Sequence, residues 1–197
     1  MPSFDVCIVN GAYRIGGVGD QVAQLAAEYY ASLGLRTKTL FLRDIPLAFC
    51  TNCRACMVSS QPLGCVIEDD FQVVLQDLEE ARAYVFISPT NMGDVTALFK
   101  RLLERMAVFG YWPWGALAPK YRKVPLSKKA VVVSSCAAPS LLGRLLFRTL
   151  GTLKKSARLL GARTTAKTML GLCANTPSFT LLPAQKEALK TSFKTLL

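Results

Sequence analysis

Five short apolar runs recur along the chain, and between them apolar positions fall at helical spacing. Asp5–Asn10 (DVCIVN), Ala83–Ser88 (AYVFIS) and Ala130–Ser135 (AVVVSS) are continuous and β-branched, the pattern of strands buried on both faces. Arg36–Leu42 (RTKTLFL) alternates polar and apolar residues, as a strand nearer an edge does, and Thr164–Leu172 completes the set. The intervening stretches predict helices over Asp20–Ser32, Asp69–Ala81, Val95–Phe109, Pro139–Leu160 and Pro183–Leu196. The second of these opens on acids, which favour a helix N-terminus, and Asp94 is placed to cap the third. In the fourth, Leu142, Leu146, Leu150, Leu153 and Leu160 fall on one face, with Arg144, Arg148, Lys155 and Arg158 mostly elsewhere.

Strand and helix alternate through five rounds, which implies a parallel α/β sheet covered by helices on both faces. Right-handed crossovers then favour a doubly wound sheet of order 2-1-3-4-5, with a ligand crevice at the carboxyl ends of the strands. The 197 residues fit one domain, 1–197, and no repeat or linker-like tract divides them. The loops expected to carry function are those after strands 1, 3 and 4.

Composition narrows the chemistry. The chain has no histidine, which excludes Ser-His and Cys-His nucleophilic machinery, His-ligated zinc and His general-base catalysis. Any reaction must use a cofactor or Asp, Glu, Lys, Cys and Tyr. Seven cysteines without a signal-like N-terminus fit reduced thiols or metal ligands better than a disulfide framework, and a cytoplasmic setting is expected. No apolar run is long enough to span a membrane. Net charge is −5 over residues 1–98 and +16 over residues 99–197. The basic residues are scattered among aliphatic ones with little aromatic interleaving, which favours a solvated basic face, at a subunit interface or cofactor entrance, over nucleic-acid binding.

The first crevice loop reads Asn10-Gly11-Ala12-Tyr13-Arg14-Ile15-Gly16-Gly17-Val18-Gly19 and leads into a helix. Its glycines allow backbone N–H groups to face an anion at the helix N-terminus, and Arg14 can add a charged fork. The second loop is Ser88-Pro89-Thr90-Asn91-Met92-Gly93, and the third, Ser134-Ser135-Cys136-Ala137, can flank a ring. Cys136 reads as a buried small residue rather than a nucleophile, and Cys7 as core. Cys50-x2-Cys53-x2-Cys56-x8-Cys65 is the densest chemical signal: four thiols that can hold an iron–sulfur cluster or zinc, or remain metal-free. Tyr111-Trp112-Pro113-Trp114-Gly115 reads as an interface for homo-oligomer formation.

The glycine loop, the cysteine segment leading to Asp69-Asp70, and SPTNMGDVTALFKRLLER (Ser88–Arg105) together resemble the NADPH-dependent FMN reductase and iron–sulfur flavoprotein family over about the first two-thirds of the chain. The resemblance implies a flavodoxin-like fold, FMN as cofactor and NAD(P)H as electron donor. It implies a phosphate loop of Ala12, Tyr13, Arg14, Gly17, Val18 and Gly19, and a ring loop of Pro89, Thr90, Asn91, Met92 and Gly93. Ser135 and Cys136 would approach the ring from its other side, and Cys50, Cys53, Cys56 and Cys65 would ligate a [4Fe–4S] cluster. The chain departs from the family in having Ala12 and Gly19 where hydroxyls are usual, Val18 where Asn is frequent, and no aromatic at Asn91 or Met92. Weaker FMN binding is therefore expected, with Ala12→Ser and Gly19→Thr restoring affinity. The reading that follows is an FMN-dependent NAD(P)H oxidoreductase acting on a quinone, another small acceptor or an iron–sulfur centre. The alternative is a flavodoxin-like electron carrier or binding module with a cysteine-ligated cluster and weak or lost FMN binding.

Overall fold

The five apolar runs pair as parallel strands in the computed structural model, which describes residues 4–60, 64–176 and 178–197. They are β1 (Val6–Asn10), β2 (Thr37–Phe41), β3 (Ala83–Pro89), β4 (Lys128–Ser135) and β5 (Ala162–Leu170), in the sheet order 2-1-3-4-5. Val6 of β1 lies opposite Thr37 on one side and Ala83 on the other, and the pairing of β1 with β3 ends at Asn10 and Ile87, two residues before β3 itself ends. That junction is where the strand order reverses.

The continuous apolar strands follow from burial on both faces. Cys7, Val9, Tyr84, Phe86, Ala130 and Val132 point into one core with α3 (Phe71–Glu80), α4 (Ala97–Arg105) and α6 (Thr149–Leu159). Val6, Ile8, Val85, Ile87, Val131 and Val133 point into the other, packed by α1 (Val18–Ala31) and α7 (Pro183–Lys194). Among the described residues no helix is long and apolar enough to cross a membrane.

Local expectations about the helices need correction. The stretch Pro139–Leu160 is two helices, α5 (Ser140–Leu146) and α6, broken where Phe147 turns extended and the Arg148 N–H is taken by the Gly93 carbonyl at 2.8 Å. Leu150, Leu153 and Leu160 are buried, but Leu142 and Leu146 are exposed, because α5 instead turns Gly143 inward, where a Cβ would lie 2.6 Å from Cys136 Sγ. The cap of α4 is Thr96, not Asp94: its hydroxyl accepts from Phe99 N–H and donates to the Gly11 carbonyl at 2.6 Å. After α4 the chain tightens into a 3₁₀ turn (Met106–Phe109) and a small antiparallel ladder, Gly110–Tyr111 with Lys120–Tyr121. The four-cysteine segment contains a one-turn helix α2 (Ala55–Val58).

Candidate functional site

At the carboxyl ends of the strands the three expected loops meet around one pocket of about 750 Å³. Residues 12–19, Pro89, Thr90, Asn91, Ser135 and Cys136 all line it. Met92 and Gly93 do not; they form the turn at the tip of their loop. Asn91 and Asp94 exchange backbone hydrogen bonds, with Met92 and Gly93 at φ 48° and 82°. A fourth wall, residues 173–176 with Ser178 and Phe179 after β5, was absent from the sequence-based reading. The polar turn residues at the end of the fifth strand were the signal available, since every strand of such a sheet delivers a loop to this edge.

The glycine loop is held in shape from beneath. Asn10 Oδ1 accepts the Ala12 N–H at 2.9 Å, and Asn10 Nδ2 donates to Asp20 at 2.8 Å. Asp20 accepts the Gly16 N–H at 2.8 Å and is clasped by both terminal nitrogens of Arg43 at 2.7 and 3.1 Å. The N-cap of α1, Gly17, supplies no side-chain cap to the first-turn N–H groups, which at a helix N-terminus are the groups that favour an anion. The loop after β3 is held by Thr90, whose hydroxyl meets Ser134 at 3.1 Å and Thr149 at 2.8 Å. Thr90 thus ties β3, β4 and α6 together and spends its polar atom on the scaffold. Cys136 and Cys173 stand on the pocket wall with burial pushing both thiols up, Cys173 to about 11, a direction that disfavours the nucleophilic thiolate.

The four cysteines of the second signal line a separate cavity of about 350 Å³ with Arg54, Met57, Glu104 and Arg105. Burial raises the Cys56 thiol, and Cys65, Cys53 and Cys50 raise it further, so the four sulfurs sense one another. Among the described residues no three His, Cys, Asp or Glu side chains converge closely enough to ligate one metal ion. What the four cysteines share is the cavity wall and soft sulfur donors, the ligand chemistry of iron–sulfur centres.

Three arginines shape the cysteine segment. Arg122 donates to the Cys56, Ser59 and Ser60 carbonyls at 3.0, 2.8 and 2.9 Å, closing the C-terminal end of α2. Arg54 lies between the Trp112 and Trp114 rings, 4.4 and 3.9 Å from their centroids, and donates to the Trp112 carbonyl at 2.7 Å. The aromatic segment therefore packs on the cysteine loop, although Trp114 remains 73% exposed. Arg105, 1% exposed, makes a bidentate pair with Asp69 at 2.7 and 2.9 Å and donates to the Ala48 carbonyl.

A five-stranded sheet in this order, with its pocket where the order reverses, is the flavodoxin-like fold. The chain belongs to the NADPH-dependent FMN reductase family, which it matches over residues 4–166. It is 33% identical over 82 residues to an iron-sulfur flavoprotein of Archaeoglobus fulgidus, covering 42% of this chain and 39% of that protein. It is 28% identical over 97 residues to an iron-sulfur flavoprotein of Methanosarcina thermophila, covering 49% of each. The matches thus span half or less of these curated relatives. Among solved structures, a flavone reductase superposes with TM-score 0.66 at 14% identity, over 98% of this chain and 61% of that one. An azoreductase from Bacillus anthracis gives 0.62 at 12% identity, over 98% and 96%. At such identities these two bear on the fold alone.

Proposed function

We propose that the protein is an FMN-dependent NAD(P)H oxidoreductase that passes electrons to a quinone, another small acceptor or an iron–sulfur centre. The observation that carries this reading is the pocket of about 750 Å³ at the reversal point, walled by the glycine loop, the Pro89–Asn91 loop and Ser135-Cys136. Its volume lies within the roughly 300–1,000 Å³ of small-molecule and cofactor sites. Residues 12–19 hold the phosphate by backbone N–H groups at the start of α1, with Arg14 beside it. Pro89, Thr90 and Asn91 set one wall for the ring, Met92-Gly93 shape that loop's tip, and Ser135 and Cys136 set the opposite wall. When bound, FMN supplies hydride acceptance from NAD(P)H and onward electron transfer, chemistry that suits a chain without histidine. Cys50, Cys53, Cys56 and Cys65 hold a [4Fe–4S] cluster. The protein works in the cytoplasm as a homo-oligomer to which the Tyr111–Trp114 segment contributes.

One observation favours the second reading, an electron carrier with weak FMN binding. The Ala12 and Gly16 N–H groups are already taken by Asn10 and Asp20, which leaves fewer donors for a phosphate. A single preparation separates the two. Anaerobically purified protein should be brown with about four irons per chain, and its apo-flavin form should quench FMN fluorescence saturably. Iron without flavin binding at near-millimolar FMN selects the carrier; flavin binding without iron after reconstitution removes the cluster alone.

A further inference from the structure

The helix α5 is seated on the sheet through a glycine. Gly143 is its buried residue, and a Cβ there would stand 2.6 Å from Cys136 Sγ and 3.1 Å from Met169 Cγ. This close seat leaves the four leucines of the helix outside: Leu141, Leu142, Leu145 and Leu146 are 67, 46, 72 and 69% exposed. At 3.6 residues per turn they share an arc of about 140°. Backbone bonds bring two more exposed apolar residues to the ends of α5. The Leu172 N–H donates to the Ala138 carbonyl at 3.0 Å just before it, and the Gly93 carbonyl, next to Met92, takes the Arg148 N–H just after it. Leu172 and Met92 hold φ at 59° and 48°, a region that bulky side chains seldom adopt. Singly exposed apolar residues need no explanation, but a group of them on one face marks a surface that meets something else.

Charge identifies what that is. No Asp or Glu occurs between Glu104 and Glu187, whereas Arg144, Arg148, Lys154, Lys155 and Lys167 all fall in that interval. These five are exposed, and among the described residues none is ion-paired with an acid. Arg144 donates to the Lys167 carbonyl at 3.1 Å, so the edge strand β5 brings its cation alongside the leucine helix. A second copy docked symmetrically on this face would set these cations against its own. An anionic bilayer accepts both features, apolar side chains at the acyl boundary and cations among the headgroup phosphates. We propose that α5 and its flanking turns dock on an anionic lipid surface. Leu141, Leu142, Leu145 and Leu146 enter the headgroup boundary, and Arg144, Arg148 and Lys167 engage lipid phosphates. Ser135-Cys136-Ala137, a wall of the main pocket, runs directly into α5, so the docked face adjoins that pocket.

The test is co-sedimentation of the full chain with vesicles of phosphatidylcholine alone, or of phosphatidylcholine and phosphatidylglycerol at about 70:30. Wild type should partition onto the anionic vesicles about tenfold or more above the neutral ones at about 0.15 M salt. Leu141→Ser/Leu145→Ser keeps every charge and should lose about tenfold of that binding. Arg148→Gln/Lys167→Gln should lose about as much. Lys186→Gln/Lys194→Gln makes the same change of net charge on α7, which packs on the other core, and should lose little. Thermal midpoints and light scattering of each variant report its folding and its oligomeric state. Full binding by the leucine variant overturns the proposal, and so does equal loss in the two cation variants, since either makes the attraction one of net charge alone. Should the leucine variant fail to fold, the contrast between the cation variants decides. Wild type that stays in solution with both vesicles also overturns it: a dimer that Leu141→Ser/Leu145→Ser dissociates then assigns the face to a second copy, and capture by polyglutamate assigns it to an acidic protein.

Discussion

The side chain that position 19 lacks is what lets the glycine loop close over the start of α1. A Cβ there would stand 2.6 Å from the Ala12 Cβ and 2.8 Å from Asn10 Oδ1, and both neighbours are fixed, Ala12 by its N–H bond to Asn10 and Asn10 by its bond to Asp20. The expectation that Gly19→Thr would restore a phosphate donor therefore fails on space: a Cβ at 19 meets both the Ala12 methyl and the Asn10 amide. Gly19→Ala should overpack this site at a cost of about 1–3 kcal/mol. For a chain of this length that is roughly 2–12 °C in the thermal midpoint. Adding Ala12→Gly removes one of the two contacts and should recover part of the loss. Thermal unfolding of the three variants checks both statements, and an unshifted Gly19→Ala midpoint would contradict them. Ala12→Ser, in contrast, adds no Cβ at 19 and remains the way to supply a donor at a residue that lines the pocket.

Between elements, the Arg105–Asp69 pair carries a pH signature. It fastens the end of α4 to the residue that begins the turn into α3, where Asp69 also accepts the Ala48 and Phe71 N–H groups. The hydrogen bond from Arg105, with those backbone donors, outweighs partial burial and holds the Asp69 carboxyl below the usual carboxylate range. A carboxyl depressed on folding contributes stability that is fully present above its unfolded value, about 3.9, and is lost as pH falls through the folded one. Urea unfolding of wild type and Asp69→Asn should therefore show a gap near pH 6 that narrows below about pH 4; a gap constant with pH would rule out the linkage. The elements themselves were largely legible in the sequence, because strands buried on both faces must be apolar without interruption, as β1, β3 and β4 are. What periodicity could not show were features settled by distant partners. The break at Phe147-Arg148 depends on a carbonyl of Gly93, the inward face of α5 on Gly143 meeting Cys136, and the fourth pocket wall on β5 ending beside β4. The glycine and cysteine loops were visible by composition, but the Asn10–Asp20–Arg43 support and the three arginines around the thiols join residues far apart in the chain, with no local spacing to announce them.

Across the whole molecule, the sheet delivers four separate stretches of chain to one edge, and they meet only there. The loops after β1, β3, β4 and β5 share the pocket, so a ligand that touches all four resists unfolding of both cores at once. The net charge of +11 favours the approach of an anion to the molecule. FMN at 100 times its dissociation constant should stabilise the native state by about 2.7 kcal/mol. At roughly 2–4 °C per kcal/mol for a chain of this size, the thermal midpoint should rise by about 5–10 °C. Riboflavin presents the same ring to Pro89–Asn91 and Ser135-Cys136 but no phosphate to the N-terminus of α1. At the same concentration it should raise the midpoint by markedly less, since charge-assisted bonds contribute about 1.5–3 kcal/mol each. Scanning calorimetry with each ligand measures the difference directly. Equal rises would mean that the pocket takes the ring while residues 12–19 leave the phosphate in solvent. No rise with either would leave the pocket without a flavin, and the four-cysteine cavity as the redox site to pursue.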